Sequence, residues 1–300
     1  MNILPRLLPV LLLTFTAFVA PTFAKDVPAS TAISHSSVWK VQGDKSTVYL
    51  AGSVHVLKEQ NYPLPAVFNQ AYTNSSVIYF EIDPSLMQDP ATAMKLAARA
   101  QLPEGETLKS RLSTETYSNL VARLKAAELP AEMFSQMKPG MVAMTLVMLE
   151  VQKLGCDPEL GLDMHFEKRA RADKKSVKSL ETLEFQIELL TGMSKEEEEG
   201  LVKSTLTDLG NLGKELDDML KAWQTGDDAA LAKLLNESMV EFPVLYKRLL
   251  TDRNQTWAGK LEGILKGDQN VMIVVGAAHL VGKDGVVEML RKKGFKVTQL

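Results

Sequence analysis

Apolar positions fall into three regimes along the chain. Residues 38–41 and 47–50 are short β-rich runs on either side of Gly43-Asp44, a turn-forming pair. The second run continues into Ala51-Gly52-Ser53-Val54-His55. Pro63 and Pro65 then mark a loop before a predicted helix over 66–72. Val77-Ile78-Tyr79-Phe80 is continuously apolar and ends in Glu81-Ile82-Asp83-Pro84. That pattern predicts a strand covered on both faces, as in a parallel sheet. From about 90 to 265, apolar residues recur every three or four positions, as in 94–100, 117–127, 141–154 and 212–223, and predict helices. Residues 191–194, followed by Lys195 and the acidic run 196–199, read as a helix start, because carboxylates suit the positive helix end. Within this helical stretch, residues 175–180 are strand-like and lead into Glu181. From 271 the opening style returns, with a buried strand over 271–275, a turn at Gly276 and a helix over 286–293. Gly294 stands at its stop position and a closing strand covers 295–299. The order predicts an α/β fold whose mostly parallel central sheet is completed by the C-terminus. A large helical insertion over about 90–265 is expected to serve as a lid.

Composition changes this picture little. The 300 residues carry 34 Lys and Arg against 37 Asp and Glu, a net charge of −3, and 45% are apolar. This is ordinary globular usage, which excludes a disordered tail. The balance lacks the basic excess of a nucleic-acid binder, so no nucleic acid is expected as a partner.

The N-terminus reads differently. Arg6 is the only charge in residues 1–24, 7–20 are apolar but broken by Pro9, and Thr22-Phe23-Ala24 offers small residues at both cleavage positions. These features predict a secretory signal cut after Ala24, too short and interrupted to anchor the chain stably in a membrane. Residues 25–37 are small, polar and aperiodic and predict a flexible leader, with His35 a solvated loop residue; the domain then runs over 38–300. The single cysteine, Cys156, provides neither an intrachain disulfide nor a lipid attachment near the cleavage site. A periplasmic or secreted protein held together by its core is expected.

Two of the four histidines share a setting. Gly52-Ser53-Val54-His55 and Gly276-Ala277-Ala278-His279 are both Gly-x-x-His directly after a predicted buried strand. Parallel α/β sheets bind ligands beyond the carboxyl ends of their strands, where glycine lets the chain turn. A third strand ends in Glu81 and Asp83, whose alternation is expected to turn both toward one face. Two imidazoles and a carboxylate form a recurring ligand set for a divalent transition metal with open positions. Asp163 and His165 lie two apart and, read as an extended turn, share one side, to orient a ligand or to stabilise the loop. Glu181 follows the strand-like run and is expected in the pocket. Arg253, beside Asn254 in a helix-like stretch, could clamp a substrate carboxylate or phosphate, or pair with a carboxylate such as Glu181. The Met-rich segment 141–149 reads as core at its helical spacing. No His-Glu-x-x-His and no Gly-x-Ser-x-Gly motif is present, and Ser53 is the one serine near these histidines that could act as a nucleophile.

The sequence resembles the TraB/PrgY/GumN family, which is related to the Tiki metalloproteases. The resemblance is carried by AGSVHVL (51–57), YFEID (79–83), GLDMHF (161–166), SLETLEFQ (179–186), RN (253–254) and VVGAAHLVGKDGVVEMLRKKGFKV (274–297). It implies a fold like those of ChaN and the erythromycin esterases, a parallel sheet with inserted helices. It also implies a metal-dependent hydrolase site like that of the Tiki branch, which places His55, His279 and Glu81 around the ion. The expected function is an exported hydrolase of peptides or small molecules that uses Mn, Co or Zn. His55 and His279 are its ligands, Glu81 a ligand or general base, and Arg253 a substrate or oxyanion clamp; Asp83, Asp163, His165, Glu181 and Asn254 support the site. The alternative is a non-catalytic protein that holds haem or iron in the ChaN manner, or captures a signalling peptide in the PrgY manner.

Overall fold

The turn at Gly43-Asp44 joins β1 (Val38–Gln42) to β2 (Thr47–Ser53), which pair antiparallel from Val38↔Ala51 to Gln42↔Thr47. This computed structural model describes residues 35–235, 239 and 242–300. The signal expected over 1–24, and the leader as far as 34, lie outside the described residues. The remaining leader residues are more ordered than their composition predicts. Ser36 and Ser37 are buried, the Ser36 amide donates to Leu300 O (2.6 Å), and the Ser37 hydroxyl donates to Trp223 O (2.9 Å).

β3 (Val77–Phe80), β4 (Ser176–Ser179), β5 (Val271–Gly276) and β6 (Lys296–Gln299) complete a six-stranded sheet in the order β4-β3-β5-β2-β1-β6. The pairs β4-β3, β3-β5 and β5-β2 are parallel, whereas β2-β1 and β1-β6 are antiparallel. The fold is therefore α/β with a mixed, largely parallel sheet that takes in the C-terminal strand. Every residue of β2 and β5 is buried, as continuous apolar runs in the middle of such a sheet require. β4 reads Ser-Val-Lys-Ser and is largely exposed, which suits an edge where polar side chains and a lysine discourage further pairing.

Among the described residues, the region between β3 and β5 is mainly helical apart from β4. The Met-rich helix Pro139–Lys153 buries Val142, Met144, Leu146, Val147 and Val151 and is core. Trp223, on the helix Leu212–Thr225, donates its indole N–H to Gly52 O (2.7 Å), so the insertion grips the end of β2 where the first Gly-x-x-His begins. Residues 161–166 depart from the expected extended turn, since they lie in and just before the helix Leu162–Ala172. No helix among the described residues is long and apolar enough to cross a membrane.

Candidate functional site

Four parallel strands end side by side, and each delivers one polar side chain just beyond its carboxyl end. β4 leads to Glu181, β3 to Glu81, β5 to His279 and β2 to His55. The registers Phe80↔Ser179, Phe80↔Val274 and Ser53↔Gly276 keep these ends level, so residues far apart in sequence meet along one edge.

Arg253 occupies the centre of the cluster. It lies on the helix Asp252–Leu265 and is 2% exposed. Its Nη2 pairs with Glu81 Oε2 and donates to Glu181 Oε2 (2.9 Å), and its Nε donates to Glu181 Oε1 (2.8 Å). Nη1 donates to Leu249 O (3.1 Å) and reaches His279 Nε2 (3.0 Å). Burial opposes the guanidinium charge, but Glu81 and Glu181 outweigh it and hold its pKa above the ordinary value. Glu81 Oε1 accepts the Gly276 amide (2.8 Å), so both Glu81 oxygens are engaged. Gln186 Nε2 bridges Glu81 Oε2 (3.2 Å) and Glu181 Oε2 (3.0 Å), and the Trp257 indole donates to Glu181 Oε1 (2.9 Å).

The state of each histidine follows from its neighbours. A guanidinium only donates, so His279 Nε2 accepts from Arg253 and Nδ1 carries the proton. Nδ1 donates to Asn254 Oδ1 (2.6 Å), while the Asn254 amide nitrogen donates to Asp284 O (2.8 Å) and fixes the sense of the amide. Complete burial, then the charge of Arg253 and the neighbouring His55, push the His279 pKa well below its usual value, so this imidazole is neutral. His55 is held differently. Its Nδ1 lies 2.6 Å from Asp163 Oδ2, and the Ser53 hydroxyl donates to the same oxygen. With Asp163 as acceptor, Nδ1 bears the proton, and in the neutral ring Nε2 is the basic nitrogen.

The expected metal-ligand set is not assembled. A divalent ion needs several lone pairs aimed at one point, whereas His279 Nε2 and Glu81 Oε2 both face the Arg253 guanidinium. Among the described residues no group of three His, Cys, Asp or Glu side chains is arranged to hold an ion. The donors in this arrangement therefore do not fit the Mn, Co or Zn site expected of His55, His279 and Glu81.

Other expected residues separate. Asp83 leaves the cluster: β3 ends at Phe80, the strand alternation stops, and Asp83 caps the turn Pro84–Gln88 through the Ser85 amide (3.0 Å). It also pairs with Arg171 (2.8 Å). His165 does not share a side with Asp163, because two residues along a helix differ by about 200°. It packs instead between Tyr62 and Phe166, with ring centroids at 5.5 and 4.9 Å. Burial, followed by Arg169 and Lys168, lowers its pKa to about 4. Gln186 and Trp257 join the site without having been expected there. A detectable signal existed for Trp257, since it stands one helical turn after Arg253 and so shares its face. Gln186 is one turn past the Thr182 N-cap, where only the pairing of β3 with β4 shows which carboxylates it meets.

Gly161 lets the His55 loop and the Asp163 helix approach each other. A Cβ at this position would stand 2.7 Å from the His55 carbonyl carbon and 2.9 Å from Pro158 O. Gly161→Ala is therefore expected to cost about 1–3 kcal/mol and to push His55 away from Asp163. Urea denaturation reads the first effect, and an unchanged midpoint would show that the loop yields freely.

The profile of the TraB/PrgY/gumN family matches residues 37–299. The chain belongs to this family. The Escherichia coli (strain K12) relative "Uncharacterized protein YbaP" is 29% identical over 81% of this chain and 87% of its own length. Human "Metalloprotease TIKI1" is 22% identical over 88% of this chain, and "Metalloprotease TIKI2" of Xenopus tropicalis 24% identical over 90%. Both alignments cover 61% of the relative, so the chain spans about three-fifths of the length of these metalloproteases. No solved structure matches the chain. The family match covers every strand that builds the cluster, and the TIKI likeness is distant homology to metalloproteases.

Proposed function

We propose that the protein is an exported hydrolase that cleaves peptides, with His55 as its general base. The observation that carries this reading is the buried His55–Asp163 pair, which lines a pocket whose other walls are mostly apolar. The distant likeness to the Tiki metalloproteases supports amide hydrolysis as the reaction class. The leader-like residues 1–24 support action outside the cytoplasm.

In this reading Asp163 holds the imidazole in the Nδ1–H tautomer and stabilises it once charged. His55 Nε2 takes a proton from water as the water oxygen attacks the scissile carbonyl carbon. The same proton then passes to the departing amine. Ser53 donates its hydroxyl to Asp163 rather than to His55, which favours water over Ser53 as the nucleophile. The engaged oxygens of Glu81 favour His55 as the proton acceptor, and Arg253, with its donors committed inside the cluster, serves as a fixed buried charge instead of a substrate clamp. The relatives' name brings a metal into question here, but the donors do not fit one, and no step is assigned to it.

A peptide library incubated with purified mature protein tests the reading, with and without chelator and with added Mn, Co or Zn. Cleavage that survives chelation is the expected result. An absolute requirement for added metal would overturn the His55 base and return His55, His279 and Glu81 to ligand roles after a rearrangement around Arg253. Absence of cleavage under every condition would overturn the hydrolase and leave a binding protein.

A further inference from the structure

The pocket beside the His55–Asp163 pair is walled by Ile82, Met87, Leu96, Leu183, Ile187 and Leu190. Three elements supply most of this wall. The turn Pro84–Gln88 gives Met87, the helix Pro90–Arg99 gives Leu96, and the helix Leu183–Thr191 gives Leu183, Ile187 and Leu190 at spacings of four and three along one face. Ile82, Ile187 and Leu190 are buried, yet none of the six belongs to the main hydrophobic core or packs against it. These side chains gather around the pocket instead of filling the interior beneath the sheet. Gln186, on the same helix, ties this wall to Glu81 and Glu181.

The carboxylates at the polar end already have hydrogen-bonding partners. Glu81 is paired with Arg253 and accepts the Gly276 amide, and Asp163 accepts from Ser53 and faces His55. An anionic side chain would meet these two carboxylates, and a charged side chain of either sign would give up its water to enter an otherwise aliphatic pocket. The helix Pro90–Arg99 buries only Thr92, and an exposed ion pair, Lys95–Glu184, links it to the helix Leu183–Thr191. Exposed pairs of this kind contribute little, so this ion pair is a weak barrier to a side chain that enters between the two helices.

We infer that this pocket receives an uncharged aliphatic side chain of the substrate. Its place next to the cleaved bond rests on the hydrolase reading, whereas the aliphatic preference rests on the wall alone.

The test is a binding titration that does not depend on turnover. N-acetyl-L-leucinamide, N-acetyl-L-aspartamide and N-acetyl-L-lysinamide are added in turn to the mature protein and to its His55→Gln variant, followed by methyl NMR shifts. The leucine derivative is expected to bind both proteins at least about tenfold more tightly than the charged ones, the lower end of what one methylene decides in an apolar pocket. Leu96→Asp and, separately, Leu183→Asp place a carboxylate at half-buried wall positions and are expected to weaken leucinamide binding by a similar factor. Equal affinity for the three amides, no leucinamide binding, or unchanged binding in both folded Asp variants would overturn the inference. A retained leucine preference without any peptide cleavage would sink the hydrolase reading and leave the aliphatic pocket standing.

Discussion

Peptide hydrolysis by His55→Gln is expected to fall about 100- to 10,000-fold, the range that a positioned general base contributes. Glutamine keeps the approximate size of the side chain and can still meet Asp163, but it accepts no proton at neutral pH. Asp163→Asn is expected to fall within the same range for a different reason. An amide at this position can present its N–H to His55 Nδ1, which favours the wrong tautomer and turns the basic lone pair away from Nε2. KM should change little in either variant, because neither substitution alters the aliphatic wall. Steady-state kinetics on one cleaved peptide checks both. Activity within threefold of the parent in His55→Gln would move the general base elsewhere in the cluster, with Glu81 the next candidate.

The second large effect concerns stability. Arg253→Met removes the cation shared by Glu81 and Glu181, two side chains that are about as buried as the arginine itself. Breaking a buried pair from one side costs about 3–5 kcal/mol, because the remaining charge has neither bulk water nor a counter-ion. Here two carboxylates stay behind, and the expected loss is at the upper end of that range. Adding Glu81→Gln and Glu181→Gln to Arg253→Met should recover much of it, since a neutral set of similar volume no longer strands charge. Urea denaturation of the single and triple variants decides the matter. A single-variant loss below about 1 kcal/mol would mean that water reaches the cluster and screens it. Arg253→Lys should fall between the two, because an ammonium keeps the charge but cannot reproduce the fork that spans both carboxylates and His279.

The strands could be read from the sequence because their signals are local. Val77–Phe80 and 271–275 are unbroken apolar runs, and a strand covered on both faces has no polar positions to offer. The helices followed from spacing in the same way, and Ser194 ahead of an acidic turn marked one start, which the structure caps through the Glu197 amide. The Gly-x-x-His pair could be found because both copies sit where a buried strand must end. Local pattern misled in 161–166: a short segment with two polar residues two apart fits an extended turn as well as a helix. Here the Leu162 amide donates to Val54 O, and the helix that follows turns His165 away from Asp163. Asp83 misled similarly, since the alternation of a strand holds only while the strand lasts.

By itself, then, the sequence determined the α/β order of elements, the strand-end positions of His55, His279, Glu81 and Glu181, and the family. Tertiary structure alone decided what those residues face. Whether Arg253 grips a substrate or neutralises Glu81 and Glu181 depends on how a helix near residue 253 packs over strands ending near 80, 179 and 276. Whether His55 is oriented by Asp163 depends on Gly161 allowing the His55 loop to touch the start of the Asp163 helix. Such partnerships join groups between 72 and 195 residues apart. Local propensity reports on neighbours in the chain, and only the packing of the sheet sets the distances that turn a set of polar residues into a site.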